Sequence, residues 1–394
     1  MTSARHGRAT RCRGSVRPPG RGGLPLLPLL PLLLLAHLAS GCGSIGPARL
    51  ERDQLDYART LSESGKRRTL FNLVRMRYGE PPSFLSVTQV VSGYTLQGTA
   101  QAGLNAYPTI ASAGDFATLL GSLQYTDRPT FTLTPMTGER FVQAYLRPYS
   151  PADVVSLVQG GTPVDVLFRL VAQSVGPLQN THPLGGPSRS GSPEFQELLR
   201  HLRALQEAGV LRVRLHRARE GPAHAGGAAS AAGTPRVFLA FDTRHAPAAR
   251  GLVAQTYRLL RLDPAARELE VVYGSGADGA GTARAREVPM LTRSLLNVLS
   301  AAAAEIEVPE EDVRAGRTAA TVREPGSARP AIVVRTGPSE PPESYAAVRV
   351  AERWYWVDGA DYESKVAFSI LELLKSIAEG AHGAAPPALT IPAG

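Results

Sequence analysis

An apolar run near the N-terminus, Leu24 to Leu38, limits what this chain can use to build a fold. A helix that crosses a membrane needs about 20 consecutive apolar residues, and this run is shorter. It also contains three prolines, which break helical hydrogen bonding. The run comes after six arginines and no acid, and it precedes the small residues Ala39-Ser40-Gly41, which is the order of a secretory signal. The sequence therefore predicts a signal peptide over residues 1–41, and a fold built only from residues 42–394.

The residues at the end of this signal, Ala39-Ser40-Gly41-Cys42, resemble the lipobox of bacterial lipoproteins. The resemblance implies cleavage between Gly41 and Cys42, diacylglycerol on the Cys42 sulfur and acylation of the new amine. Several acyl chains anchor a protein stably, because each buried methylene contributes about 0.8 kcal/mol. An ordinary signal with a cysteine nearby is the alternative. Gly43 comes directly after the cysteine, and resemblance to the enterobacterial sorting rule then favours the outer membrane.

The charge and the cysteine count of the mature chain exclude several functions. The whole chain carries +9, but cleavage removes six arginines and leaves 37 basic and 34 acidic residues, a net charge of +3. This near-neutral chain gives no support for a nucleic-acid partner. Cys12 leaves with the signal, so no disulfide and no cysteine metal site is expected. The remaining histidines lack metal-ligand spacing, and we expect neither a metal nor another cofactor.

Helical and strand patterns alternate irregularly after the signal, which predicts an α+β fold of antiparallel hairpins packed with amphipathic helices. The chain has the length of one or two small domains. The predicted order is a lipidated tether (42–51), a helix plus amphipathic β-hairpin region (52–177), a loop (178–192), an α+β domain (193–379) with a flexible loop at 218–235, and a disordered tail (380–394).

Several local patterns make this order specific. A first helix is predicted over 52–78, either in one piece or in two pieces that meet at Gly65. Its buried face is predicted from five residues with helical spacing: Leu70, Leu73, Val74, Arg77 and Tyr78. Three Ser-Pro or Thr-Pro pairs, at 150–151, 162–163 and 192–193, predict helix starts whose nearby acids are capping residues and not catalytic groups.

The C-terminal half has strand patterns. "TYRLLRL" and "ELEVVYG" (256–262 and 268–274) predict a hairpin, and "AIVVRT", "YAAVRV" and "RWYWVD" predict three strands before a last helix. The segment 274–279 fits G-x-G-x-x-G, but no helical pattern comes after it. We therefore interpret it as a flexible hairpin loop and not as a dinucleotide site.

Residues 94–105 alternate strictly between apolar or small and polar side chains, which predicts a strand with two unlike faces. Two shorter strands are predicted over 121–136. The same alternation is typical of strands that cross a membrane. One hairpin leaves its edges unpaired in lipid, so that role would require several copies of the chain. The alternative is a hairpin that covers one side of a soluble domain.

Trp354 and Trp356 form the densest aromatic cluster with Tyr355 between them. In a strand the two tryptophans share one face and Tyr355 the other. Core packing on the last helix is one interpretation; an exposed platform that stacks on a sugar or a peptide, peptidoglycan included, is the other. No nucleophile elbow or H-E-x-x-H motif is present, so no catalytic residue is predicted.

Three stretches resemble a group of proteobacterial lipoproteins: "ERDQLDYARTLSESGKRRTLFNLVRMRYGEPPSFLSV", "YTDRPTFTLTPMTGERF" and "WYWVDGADYESKVAFSILELL". The resemblance implies a common fold over most of the mature chain and no catalytic residues. We therefore expect a lipid-anchored, periplasm-facing, non-enzymatic scaffold or accessory subunit of an envelope complex. Its expected partners are the membrane, through acylated Cys42, and other envelope proteins or copies of itself. The alternatives are a subunit of an oligomeric outer-membrane channel or export assembly, and a periplasmic glycan-binding protein or enzyme.

Overall fold

The computed structural model describes residues 45–91, 94–105, 116–127, 130–181, 191–216, 236–274, 286–323, 329–380 and 388–390. The chain divides into two compact units, Met1–Ser62 and Glu63–Gly394. The described part of the first unit is helical, and Thr60 Oγ1 there donates a hydrogen bond to the Asp56 carbonyl at 2.8 Å.

The described helices and strands confirm an α+β fold. The helices are α1 (Ile45–Arg77), α2 (Gly138–Phe141) continued by a π-helical turn (Val142–Leu146), α3 (Pro151–Gln159), α4 (Val164–Val171), α5 (Pro193–Glu207), α6 (Arg250–Leu260), α7 (Leu295–Ala304), α8 (Glu310–Arg314) and α9 (Tyr362–Gly380). The strands are β1 (Leu85–Val91), β2 (Tyr94–Asn105), β3 (Phe116–Asp127), β4 (Thr130–Pro135), β5 (Ala172–Val175), β6 (Leu178–Gln179), β7 (Leu211–His216), β8 (Arg236–Phe241), β9 (Glu268–Tyr273), β10 (Glu287–Thr292), β11 (Arg335–Gly337), β12 (Ser344–Val350), β13 (Arg353–Asp358) and β14 (Ala388–Thr390).

The largest sheet has six strands in the order β6-β5-β10-β9-β8-β7. Only the β9–β10 pair is parallel, and the other neighbours are antiparallel. Two three-stranded sheets have the orders β14-β1-β4 and β11-β13-β12, and β2 and β3 form a separate two-stranded ribbon. The ribbon lies between β1 and β4 in the sequence, and these two strands pair with each other up to Val91 and Thr130.

The core lies between the six-stranded sheet and the helices. α9 supplies its centre, because Ala367, Phe368, Leu371 and Leu374 are fully buried, and it contacts α4, α7 and β13. The predicted face of α1 is confirmed, since Leu70, Leu73 and Val74 are buried at the helical spacing.

Two of the three predicted helix starts are confirmed at the expected residue. α3 begins at Pro151, and Ser150 Oγ accepts a hydrogen bond from the Asp153 backbone N–H at 3.1 Å. α5 begins at Pro193, although Ser192 makes no side-chain cap bond to this helix. α4 begins one residue later than expected, at Val164, with Pro163 at the cap position.

The predicted hairpin over 256–274 is wrong in its first half, because "TYRLLRL" belongs mostly to α6. Over the longer segment the apolar residues recur with a helical period, and Tyr257 and Leu260 are buried. The helix ends at Leu260, and the next residue, Arg261, has a left-handed φ of 55°. The hairpin loop predicted after Gly274 is also wrong, because the flanking strands β9 and β10 are parallel neighbours. Residues 275–285 lie outside the described residues.

Other segments differ from expectation in detail. α1 runs through Gly65 without a break and begins at Ile45, inside the predicted tether. In "AIVVRT" only the end joins a sheet, as β11, while Ile332 and Val334 are buried without strand pairing. Leu178–Gln179 pairs with β5 inside the predicted loop 178–192. Ala388–Thr390 pairs with β1 inside the predicted tail. The predicted loop at 218–235 lies outside the described residues.

Candidate functional site

The tryptophans of β13 lie on the outer face of their sheet, opposite the core. Tyr355 and Val357 alternate with them and are buried, whereas Trp354 and Trp356 are half-buried. The strand pairing places Trp354 between Gly337 and Arg349, and Trp356 between Arg335 and Ala347. The core-packing interpretation therefore fits Tyr355, while the half-buried tryptophans remain the candidate platform. We call Trp354 and Trp356 with these flanking residues the tryptophan face.

The residues around Trp356 determine which parts of the tryptophan face are accessible. A Cβ added at Gly337 would lie 3.2 Å from Cη2 and 3.3 Å from Cζ3 of Trp356, so the indole covers the glycine closely. Arg335 contacts Asp358 at 3.4 Å beside it. Among the described residues neither indole N–H donates a hydrogen bond. The face thus offers flat aromatic surface and free donors, the combination that suits stacking on a sugar ring with a polar contact at its edge.

A hydrogen-bond network of partly buried side chains lies behind the tryptophan face. Tyr78 Oη donates to Asp312 Oδ2 at 2.6 Å and lies 2.8 Å from the Tyr355 hydroxyl. Arg317 Nε donates to the same carboxylate at 2.8 Å. The hydrogen bonds from Tyr78 and then Arg317 lower the pKa of Asp312, while burial and the bond to Asp312 raise the pKa of Tyr78 far above its usual value. Both groups keep their ordinary charge at neutral pH, which suits a structural role.

Arg77 links the end of α1 to the segment after α7. Its side chain is on the predicted apolar face and only 6% exposed. Nε donates to the Ile306 carbonyl at 2.9 Å, Nη1 to Thr318 Oγ1 at 2.7 Å, and Nη2 to the Ala319 carbonyl at 2.9 Å and Thr321 Oγ1 at 3.2 Å. Each of the three guanidinium nitrogens therefore donates to the fold, which indicates a structural role for Arg77.

A second surface, absent from the sequence predictions, is a cleft of about 1880 Å³ between the outer face of β7–β9 and α6. Phe238 and Ala240 line its sheet side and Val253 its helix side. Seven arginines line it: Arg212, Arg214, Arg244, Arg250, Arg258, Arg267 and Arg286. We call it the arginine cleft.

Three carboxylates that line the arginine cleft, Asp242, Glu268 and Glu270, each form an ion pair with an arginine. Arg214 Nη1 lies 2.6 Å from Glu268 Oε1, Arg236 makes a two-point bond to Glu270, and Arg244 Nη2 lies 2.7 Å from Asp242 Oδ2. The hydrogen bonds from Arg244 lower the pKa of Asp242 well below its usual range. Arg250, Arg258 and Arg267 have no carboxylate partner in the described part of the chain, and Arg212 interacts with Asp242 only through its charge, without an ion-pair contact. The arginine cleft therefore carries unbalanced positive charge.

A sequence signal for this cleft exists only in "LRVRLH", where alternate arginines mark one face of a strand. Its other arginines come from the turn after β8, from α6 and from the segments before β9 and β10. Only the fold brings these segments together.

In the β2–β3 ribbon, apolar or small residues pair with each other across the two strands, and polar residues pair with polar residues. Over its 12 residue pairs, Leu96 pairs with Tyr125, Ala100 with Gly121, and Ala102 with Leu119. Thr99 pairs with Ser122 in the other row, and their exposed hydroxyls lie 2.5 Å apart. No described strand pairs with either outer edge, and no described helix or strand packs extensively against the ribbon.

The remaining predicted site residues lie outside the described part of the chain, and that part contains neither a candidate metal-ion cluster nor a membrane-spanning helix. Gly41 and Cys42, the predicted cleavage and lipidation residues, lie outside the described residues. The described ranges contain no group of three or more His, Cys, Asp or Glu side chains that could hold a metal ion. No described helix is both long enough and apolar enough to span a membrane. No family model, no curated protein and no solved structure matches the chain.

Proposed function

We propose that this chain is a non-enzymatic subunit of an envelope assembly, anchored to the outer membrane through acylated Cys42 and facing the periplasm. The observation that carries the proposal is the β2–β3 ribbon. A two-stranded ribbon on its own is marginally stable in water, and its outer edges present unpaired N–H and C=O groups that pair readily with another chain.

The ribbon's sequence and register favour a protein partner. Its apolar row contains Gly98, Ala100, Ala102 and Gly121, which give little surface for lipid but allow close backbone approach to protein. The partner is either another envelope protein, for which the chain acts as a scaffold or accessory subunit, or a ring of identical copies. The second case is the channel or export assembly.

The anchor is tested by cell fractionation of Cys42→Ala. We expect this variant to leave the membrane fraction for the soluble periplasm, because it cannot carry acyl chains. Cys12→Ala is the matched control, since Cys12 lies in the predicted signal and its loss should leave the protein membrane-bound. A Cys42→Ala form that stays in membranes would refute the anchor.

The ribbon is tested by replacing residues 92–129 with Asn-Gly. Val91 and Thr130 are opposite each other, so a two-residue turn can connect β1 to β4 without disturbing their pairing. We expect the full-length protein, extracted in mild detergent, to migrate as a large discrete complex and the deleted form as a monomer. A monomeric full-length protein, or a complex that survives the deletion, would refute the role of the ribbon.

A pair of point variants separates the two rows of the ribbon. Ala100→Asp places a charge in the apolar row and should dissociate the complex. Thr99→Asp makes the same change one residue away in the polar row, where Thr99 is exposed, and should leave the complex intact. Proteins that co-purify with the intact complex, or their absence, distinguish a hetero-complex from a homo-oligomer.

Glycan binding at the tryptophan face is a second candidate function, favoured by the outward position of Trp354 and Trp356. These are the only tryptophans of the chain, so intrinsic indole fluorescence reports this face alone. We expect soluble peptidoglycan fragments to change the emission, and the Trp354→Ala, Trp356→Ala double variant to lose sedimentation with purified peptidoglycan. Binding that survives the double substitution would refute this function.

A further inference from the structure

The strand at one end of the six-stranded sheet, β7, has an open edge. No other described strand pairs with it besides β8. The Asp242 N–H donates to the Val210 carbonyl at 2.8 Å, directly before the β7–β8 register begins. Because bonded and non-bonded pairs alternate in antiparallel strands, the backbone groups of Leu211, Val213 and Leu215 face away from β8. No described residue pairs with these outward donors and acceptors, so an incoming strand can bond to them.

The two faces beside this edge differ in chemistry. Arg212 and Arg214 lie on the outer face, both exposed and about 7 Å apart along the strand. On the inner face Leu211 and Val213 pack against the core, but Leu215 remains 43% exposed. A strand added at this edge would therefore meet cations on one face and an uncovered apolar side chain on the other.

The arginine cleft adds positive charge on the outer face beside β7. Arg212 makes no ion-pair contact in the described chain and acts only at a distance on Asp242, which Arg244 already binds. Arg214 is held only by an exposed pair with Glu268. Exposed pairs of this kind contribute about 0–1 kcal/mol, so Arg214 can exchange one carboxylate for another with little change in free energy. Arg250 and Arg258, without carboxylate partners in the described chain, line the same cleft from α6.

We propose that β7 binds an extended peptide segment of a partner protein in which acidic and apolar residues alternate, and that this segment adds to the sheet as a seventh strand. Its carboxylates lie opposite Arg212 and Arg214, where opposite charges on neighbouring strands attract. Its apolar residues cover Leu215. Main-chain hydrogen bonds to Leu211, Val213 and Leu215 supply affinity, and the alternating side chains supply specificity. The site involves neither the lipid anchor nor the β2–β3 ribbon, so it is tested separately from them.

The test uses the full chain, purified in mild detergent, and a fluorescein-labelled peptide of alternating Glu and Val followed by anisotropy. We expect saturable binding that weakens with salt, and no binding of the Lys-Val peptide. The Arg212→Gln, Arg214→Gln double variant should bind about tenfold more weakly, from about three- to fivefold per exposed ion pair. Arg67→Gln, an exposed arginine of α1, is the matched control and should change nothing.

Strand addition is separated from simple charge attraction by two further changes. Leu215→Pro removes an outward N–H while leaving the β8 ladder intact, and should abolish binding that Leu215→Ala retains in part. On the unmodified protein, a Glu-Val peptide with N-methylated backbone should fail to bind, which covers the case of a Leu215→Pro form that does not fold. Absence of binding to the Glu-Val peptide, or equal binding of the N-methylated peptide, would overturn the proposal.

Discussion

Arg77→Met gives the sharpest test of how α1 is held, because it removes all the donors of one buried guanidinium and keeps an unbranched apolar stem. The four hydrogen bonds of Arg77 reach two carbonyls and two threonine hydroxyls, more than 200 residues away in sequence. A buried hydrogen bond contributes about 1 kcal/mol net, which gives about 4 kcal/mol for the set. Burial lowers the pKa of Arg77, so removing the desolvated charge offsets part of this loss. We expect a net loss of about 3 kcal/mol of unfolding free energy.

The assay is urea denaturation followed in parallel by circular dichroism and tryptophan emission. Arg67→Met is the matched control, since Arg67 belongs to the same helix but is exposed, and it should shift stability by less than about 0.5 kcal/mol. A loss below about 1 kcal/mol for Arg77→Met would refute the reasoning, because it would mean that solvent or rearranged backbone replaces the guanidinium donors. Coincident transitions by the two probes are required for the comparison of free energies.

Other buried contacts give three further predictions. Phe368→Ala, at a fully buried position of α9, should cost about 3–5 kcal/mol in the same assay. Hydrogen bonds from Tyr78 and Arg317 hold the pKa of Asp312 below 3.8, so its ionised form contributes stability at neutral pH that is lost as pH falls through the folded pKa. Asp312→Asn should therefore be less stable at neutral pH and lose less stability on acidification below about pH 4. Gly337→Ala should shift the tryptophan emission, because the new methyl group would contact the Trp356 ring at 3.2 Å; an unchanged spectrum would contradict the described packing.

The sequence predicts elements well where periodicity is long and unbroken. The spacing of Leu70, Leu73 and Val74 predicts the buried face of α1, and strict alternation over β2 predicts the ribbon. The same logic fails at α6, because the seven residues "TYRLLRL" are too short a window to separate a helix from a buried strand. It also places Arg77 on a buried face without revealing its partners, which come from a distant part of the chain.

The two candidate surfaces differ in predictability for a related reason. Trp354 and Trp356 are neighbours in one strand, so alternation alone puts them on a common face. Whether that face is buried depends on the positions of α9 and β11, which local sequence does not encode. The arginine cleft draws its side chains from several segments, and the pairing of β9 with β10 is parallel where a hairpin interpretation predicts antiparallel pairing. Charge counted along the chain gives near neutrality and hides this local excess.

The opposite chemistry of these two surfaces makes them separable in one experiment on envelope extracts. Attraction to the arginine cleft is electrostatic, and the screening length falls from about 10 Å at 0.1 M salt to about 3 Å at 1 M. Stacking of a sugar ring on the tryptophan face depends on the apolar area that is covered and on the polarizable indole rings, so salt changes its affinity little. Material released from the immobilised protein by salt should therefore be enriched in acidic proteins, and the loss of Arg212 and Arg214 should weaken its capture about tenfold. Material that stays bound in high salt and leaves only with soluble glycan fragments should depend on Trp354 and Trp356. A fraction that requires both pairs of residues would contradict the assignment of two independent surfaces, because separated sites with no shared partner contribute additively.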